Sequence, residues 1–312
     1  MQRAVYLIAY PVLWLVAQLP FPLLYVLSDG IYIILFYLVR YRRKVVQSNL
    51  RLVFPEKDEA ELKRIEARFY AHMCDMFLEM IKTMGITQKE LQRRFIFENL
   101  ELLHRLESEG KSIMLMLPHY ASWEWSFALD GQIKSVGYGI YQPLTNRYFD
   151  RLVRNIRAKF GTTLITTRET RELIAENRAK GQLATYGILI DQSPMLKKTV
   201  YWGSFMGIEV PMHTGAEQLC KTRDLPAVYL KVRKVGRGYY KGRFILLTDD
   251  PASVPDWEIT EAFFREVERS IREAPEYYFW THKRWKHRGK KPGKHSAKAP
   301  SEGNPQTHPS RA

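Results

Sequence analysis

Between residues 5 and 39 the chain carries one formal charge, Asp29, and no other stretch constrains its folding as strongly. Two apolar runs, residues 5–19 (VYLIAYPVLWLVAQL) and 23–39 (LLYVLSDGIYIILFYLV), are separated by Pro20-Phe21-Pro22. A cleaved secretory leader has one short apolar region followed by small residues, whereas the second run here leads straight into Arg40, Arg42, Arg43 and Lys44. The expectation is an anchor that stays attached over residues 1–40. A helix needs about 20 apolar residues to span a bilayer, so each segment falls slightly short and both a kinked, tilted span and a shallow re-entrant pair remain open. Tyr10, Trp14, Tyr25, Tyr32 and Tyr37 supply interfacial aromatics, and the basic residues after position 39 put the remaining chain on the cytoplasmic side. A pair of buried core helices is the competing reading, and so few charges weigh against it.

Charge narrows the partners. The 48 Lys and Arg residues outnumber the 33 Asp and Glu residues, for a net charge of +15 over 312 residues. Residues 283–312 hold nine of the bases and only one acid. This surplus points to anionic lipid head groups, an acidic carrier protein or nucleic acid. Nucleic acid is disfavoured, because there is no zinc-finger spacing or aromatic RNA-binding motif and over half the excess charge sits in that one segment. From residue 289 the sequence is rich in Lys, Pro, Gly, Ser and His without apolar periodicity, and reads as a basic disordered tail. Cys74 and Cys220 show no C-x-x-C spacing, which excludes a disulfide framework and a cysteine-based zinc site.

The intervening sequence, residues 41–288, alternates helix and strand patterns. Residues 61–84 place Leu62, Ile65, Phe69, Met73, Met76, Phe77 and Met80 at helical spacing, with the methionines as core filling. Strands are expected at 112–117 (SIMLML), 136–141, 162–166, 183–190 (LATYGILI), 227–235 and 239–247. Helices are expected near 100–109, 148–160, 168–180, 214–222 and 259–273. Continuous apolar strands between helices predict an α/β protein whose sheet is covered on both faces, with functional groups where strands end. His119 and Asp191 follow the two most apolar strands.

The segment 118–125 reads PHYASWEW and sets His119 and Glu124 five residues apart. A carboxylate at that spacing could hold the imidazole in one tautomer, as a general base requires. His72, His104, His213 and His282 form no cluster with metal-ligand spacing, so neither a metal nor a cofactor is expected. No G-x-S-x-G elbow occurs and neither cysteine lies near the motif, so the segment indicates a base without a serine or cysteine nucleophile.

In order along the chain, YRRKVVQSNLRLVFPE (41–56), FLEMIK (77–82), PHYASWEW, YQPL (141–144), RNIRAKFG (154–161), DQSP (191–194), FMG (205–207) and YFWTHKRWK (278–286) follow the apolar N-terminus. This succession resembles the late acyltransferases of bacterial lipid A biosynthesis, within the lysophospholipid acyltransferase superfamily, over about residues 1–290. The resemblance implies a glycerol-phosphate-acyltransferase-like mixed sheet flanked by helices. It implies transfer of a fatty acyl chain from an acyl-carrier-protein or CoA thioester to a hydroxyl of a lipid A precursor, at the cytoplasmic face of the inner membrane. His119 is then the general base, Glu124 orients it, and Arg157 faces the developing oxyanion, with Arg154 and Arg168 as rivals. Asp191 and Gln192 are expected to shape the head-group pocket or brace the site. Trp123, Trp125, Phe127 and Trp202 are candidates for an acyl trough. The same chemistry on another amphiphile, such as a phosphatidylinositol mannoside, a lysophospholipid, an ornithine lipid or a pigment, is the alternative.

Overall fold

All five residues of the strand Ile113–Leu117 (β2) are buried, as an uninterrupted apolar run requires of a strand covered on both faces. In the computed structural model, which describes residues 2–291, this strand lies at the centre of a seven-stranded sheet. The basic tail expected from residue 289 lies, from 292 onward, outside the described residues. The sheet order is β1 (Phe95–Phe97), β9 (Tyr239–Thr248), β8 (Ala227–Gly236), β2, β5 (Ala184–Leu189), β3 (Val136–Tyr141) and β4 (Thr163–Thr166). Every pairing is parallel except the β8–β9 hairpin, so the sheet is mixed, as expected. The helices α6 (Glu101–Ser108), α7 (Arg147–Ala158), α8 (Thr170–Ala179), α9 (Gly215–Arg223) and α10 (Glu258–Glu273) fall within two residues of their sequence patterns.

Three features escaped the periodicity. Strand β1 is too short to show an alternation. The hairpin of β6 (Trp202–Phe205) and β7 (Ile208–Pro211) turns on Met206 and Gly207, both with positive φ (54° and 75°), a geometry that matches the twist of the strands it joins. Helices α3 (Arg43–Val53) and α5 (Gln88–Arg94) are short and rich in charge.

The longest helix, α4 (Glu59–Lys82), begins at Asp58, whose carboxylate accepts from the Glu61 N–H at 2.7 Å. Besides its apolar face it buries Glu66, His72, Asp75, Glu79 and Lys82. Such groups need partners, and the N-terminal helices α1 (Gln2–Gln18) and α2 (Phe21–Ile33, continuing in wider turns over Ile34–Val39) provide several of them. Lys82 Nζ donates to the Ala17 and Leu19 carbonyls at 2.8 and 2.7 Å, closing the end of α1. Tyr25 donates to Glu79 and Ser28 to Asp75. A β-carbon at Gly85 would stand 2.6 Å from the Ala17 carbonyl oxygen, so glycine there lets the end of α1 approach.

His72 has a consequence for stability. Its Nδ1 accepts from Lys234 Nζ at 3.3 Å and its Nε2 lies 3.4 Å from the Ala121 carbonyl, a pairing that suits only the neutral ring. Burial, and then the Lys234 charge, push its pKa down to about 3. An unfolded chain takes up that proton near pH 6.5 while the folded one resists, so stability falls as pH drops from 6.5 toward 3, by up to about 1.4 kcal/mol per pH unit. Melting in detergent between pH 7 and 4.5 is expected to show this slope, reduced in His72→Gln. An unchanged slope in the variant would assign the acid lability elsewhere.

Candidate active site

The register of β2 and β5 builds the centre of the site. Leu117 pairs with Leu189, and His119 and Asp191 each stand two residues further along the neighbouring parallel strands. At this edge of the sheet His119 Nδ1 and Asp191 Oδ1 are 2.7 Å apart. Asp191 is 1% exposed, whereas the His119 side chain keeps 21% exposure, leaving its far edge within reach of a ligand. Burial alone would raise the Asp191 carboxyl. The adjoining His119, through charge and hydrogen bond, outweighs burial and holds it below the ordinary carboxylate value.

Glu124 takes a different partner from the one its spacing suggested. It opens the 3₁₀ segment Glu124–Leu129, where Arg157 of α7 donates to it bidentately, through Nε at 2.9 Å and through Nη2. Trp123 Nε1 donates to Glu124 Oε1 at 3.1 Å. The expectation that Glu124 orients His119 therefore differs from the observed hydrogen bonding, in which Asp191 meets Nδ1. The reason is geometric: residues 120–123 carry Glu124 past the imidazole and toward α7. Burial works against the charge of Arg157, and Glu124 outweighs it, raising the guanidinium above its usual value. Arg157 Nη1 keeps no hydrogen-bond partner among the described residues.

Trp123 sits edge-on to His119 with ring centroids 5.1 Å apart, and Phe279 lies 5.5 Å from Trp123. Gln192 follows Asp191 half-buried and makes no side-chain hydrogen bond among the described residues. Arg154 and Arg168 are exposed, and only Arg154 has an aromatic neighbour, with its guanidinium 6.0 Å from the Tyr141 ring centre. The structure thus brings His119, Trp123 and Asp191 together, joins Glu124 and Arg157 beside them, and leaves Arg154 and Arg168 at the surface.

A mainly apolar cavity opens beside Trp123, Glu124 and Arg157. It follows the face of the sheet presented by alternate positions 115 and 117, 137, 139 and 141, and 185, 187 and 189. From Leu189 back to Thr185 the path is about 13 Å. Glycine at 137, 139 and 187 leaves the room: a β-carbon at 137 would collide with Asp130 and one at 139 with Leu164, at 2.3 and 2.7 Å. Asp130, bonded by Thr162, lies toward the inner end, and burial raises its carboxyl. Of the four aromatics expected in a trough, Trp123 and Phe127 line this cavity. Trp125 is instead fully buried and donates to the Glu79 carbonyl and Thr83, and Trp202 belongs to the β6–β7 hairpin.

Sequence reading assigned no role to the groups behind Asp191. Arg284 is fully buried between Phe205 and Phe264, 5.3 Å from each ring centre, and its N–H groups find no partner among the described residues. Burial depresses it to about 10, against the opposing pull of Tyr278 and Asp191, so it remains a cation at neutral pH. The alternation of aromatic and basic residues in YFWTHKRWK was the available signal. Among the described residues no group of histidine, cysteine and carboxylate side chains could hold a metal ion.

A family model for bacterial lipid A biosynthesis acyltransferases matches residues 1–287, a span that includes all of these side chains. The chain is 26% identical over 280 residues to the lipid A biosynthesis lauroyltransferase of Escherichia coli K12, covering 89% of this chain and 90% of that protein. It is 23% identical over 279 residues, 89% of each chain, to the lipid A biosynthesis palmitoleoyltransferase of the same strain. A lipid A biosynthesis acyltransferase of Haemophilus influenzae is 24% identical over 276 residues, 86% of this chain and 83% of that one.

Proposed function

The chain belongs to the bacterial lipid A biosynthesis acyltransferase family, and on that premise we propose that it transfers a fatty acyl chain from an acyl-carrier-protein thioester to a hydroxyl of a lipid A precursor. The observation that carries this reading is the His119–Asp191 hydrogen bond beside an apolar, chain-shaped cavity. With Nδ1–H donated to Asp191, Nε2 of His119 carries the lone pair. It takes the proton of the acceptor hydroxyl as that oxygen attacks the thioester carbonyl. The tetrahedral oxyanion forms within reach of a donor such as Arg157 Nη1, the C–S bond breaks, and the thiolate leaves with the proton held on Nε2. Asp191 stays ionised and stabilises the imidazolium between the two transfers. This sequence balances without a cofactor or metal.

Glu124 acts in this reading by fixing Arg157, and Trp123 closes the mouth of the acyl cavity. Arg154, Arg168 and Gln192 are assigned to a charged head group, because their side chains offer hydrogen-bond donors not engaged by a carboxylate among the described residues. Residues 1–40 serve as the membrane anchor and 41–288 as the catalytic domain, on the cytoplasmic side of the inner membrane. The positive surplus outside the tail offers an acidic carrier protein a complementary surface.

The test is mass spectrometry of lipid A from cells with the gene, without it, and with a His119→Ala copy. Loss of one acyl chain in the deletion, restored by the wild type and not by the variant, is expected. Unchanged lipid A would overturn the acceptor and direct attention to other polar lipids. The cavity supplies a second test. A β-carbon at Gly187 meets nothing closer than 3.7 Å, so Gly187→Ala is tolerated and adds a methyl group to the cavity wall. Because one methylene in an apolar site is worth about ten-fold or more in discrimination, the variant is expected to shift the kcat/KM ratio toward shorter donors by about that factor. An unaltered ratio with a normal melting temperature would place the acyl chain elsewhere.

A further inference from the structure

The stretch Phe21–Val39 is long and apolar enough to cross a membrane, yet its contacts say how it meets one. Successive turns of α2 are seated on the folded body. Phe21 packs against Trp125 and under Arg94, whose guanidinium is 3.3 Å from the ring centre. Tyr25 bonds Glu79, Ser28 bonds Asp75, and Asp29 pairs with Arg237 at 2.6 Å. Phe36 ends the series against Tyr70. A transmembrane orientation would either break these bonds or carry Asp75, Glu79 and Arg237 into the hydrocarbon, where charged groups are strongly disfavoured. Helix α1 is held likewise, by Lys82 at its end and by Tyr6 stacking on Tyr148 of α7.

The opposite faces are apolar and open. Ile8 is 75% exposed, Val26 67% and Leu38 74%, and Leu7, Leu15 and Leu23 are exposed between them. Basic residues border this surface at Arg3 and at Arg40, Arg42 and Lys44, all exposed. One apolar flank with cationic margins is the pattern of helices lying in the head-group boundary of an anionic leaflet.

We propose that α1 and α2 lie in the plane of an anionic membrane leaflet, inner faces on the protein and outer faces among the acyl chains, so that the chain enters the membrane from one side without crossing it. Because α1 also packs on α7, the helix that carries Arg157, this orientation sets the active-site edge beside the lipid surface.

Nitroxide labels on Ile8→Cys, Val26→Cys and Leu38→Cys in the full-length protein test this; the buried native Cys74 and Cys220 do not compete for label. Their depths are read from oxygen and nickel-chelate accessibility on vesicles of phosphatidylethanolamine with about a quarter phosphatidylglycerol. The expected result is a common shallow depth, about 5–10 Å below the head groups. Omitting the anionic lipid is expected to reduce the bound fraction about tenfold. Depths that run from one leaflet through the centre to the other would overturn the proposal. So would labels left in water on bound protein, as an apolar surface meant for a protein partner would give, or binding indifferent to phosphatidylglycerol. No turnover is needed, so the outcome is independent of the acyl-transfer assignment.

Discussion

Asp191→Asn is expected to lower kcat for acyl transfer by about a thousandfold or more, close to the loss in His119→Ala. The amide has nearly the shape of the carboxylate, so packing at this fully buried position is kept. What changes is the proton: an amide N–H facing Nδ1 forces the imidazole to carry its hydrogen on Nε2, which removes the lone pair that the acceptor hydroxyl needs. Single-turnover transfer from an acyl carrier protein, with melting curves run alongside, measures this directly. If Glu124 held the imidazole instead, as the five-residue spacing alone suggests, Asp191→Asn would be mild and Glu124→Gln would inactivate through the base. A near-normal rate in Asp191→Asn with a normal melting temperature would remove Asp191 from the mechanism.

Breaking the Glu124–Arg157 pair is expected to cost both stability and rate. Glu124 is 7% exposed and Arg157 21%, so either single change strands a poorly solvated charge. Loss of one partner of a fully buried pair costs about 3–5 kcal/mol, and the partial exposure of Arg157 brings the expectation for Arg157→Leu to about 2–3 kcal/mol. The double variant Glu124→Leu/Arg157→Met removes both charges and is expected to recover most of that stability while transfer stays about a hundredfold or more down, because the oxyanion has lost its donor. Denaturation and kinetics on the three proteins separate the two contributions. Recovery of activity in the double variant would show that the pair only braces the fold.

Much of this architecture was legible in one dimension. The runs SIMLML and LATYGILI announce strands that are covered on both faces, and the 3.6-residue recurrences between them mark the helices to within about two residues. His119 and Asp191 stood out because each follows such a strand. Less legible were the features whose signals are spread across the chain. Asp75 and Glu79 look like the solvated side of α4 until α2 and the β8–β9 turn are laid over them. Arg284 reads as one basic residue among many until Phe205 and Phe264 close on it.

Secondary structure, the apolar N-terminus and the family motifs were determined by the sequence itself, because they depend on neighbours within a few positions, where periodicity and steric preference act. The partner of His119 was decided only by tertiary structure. Spacing favours Glu124, five residues away, but parallel registration of β2 with β5 brings Asp191, 72 positions distant, to 2.7 Å, while α7 presents Arg157 to Glu124. A hydrogen bond is selected by distance and direction in space, and in a sheet these are set by which strands lie side by side.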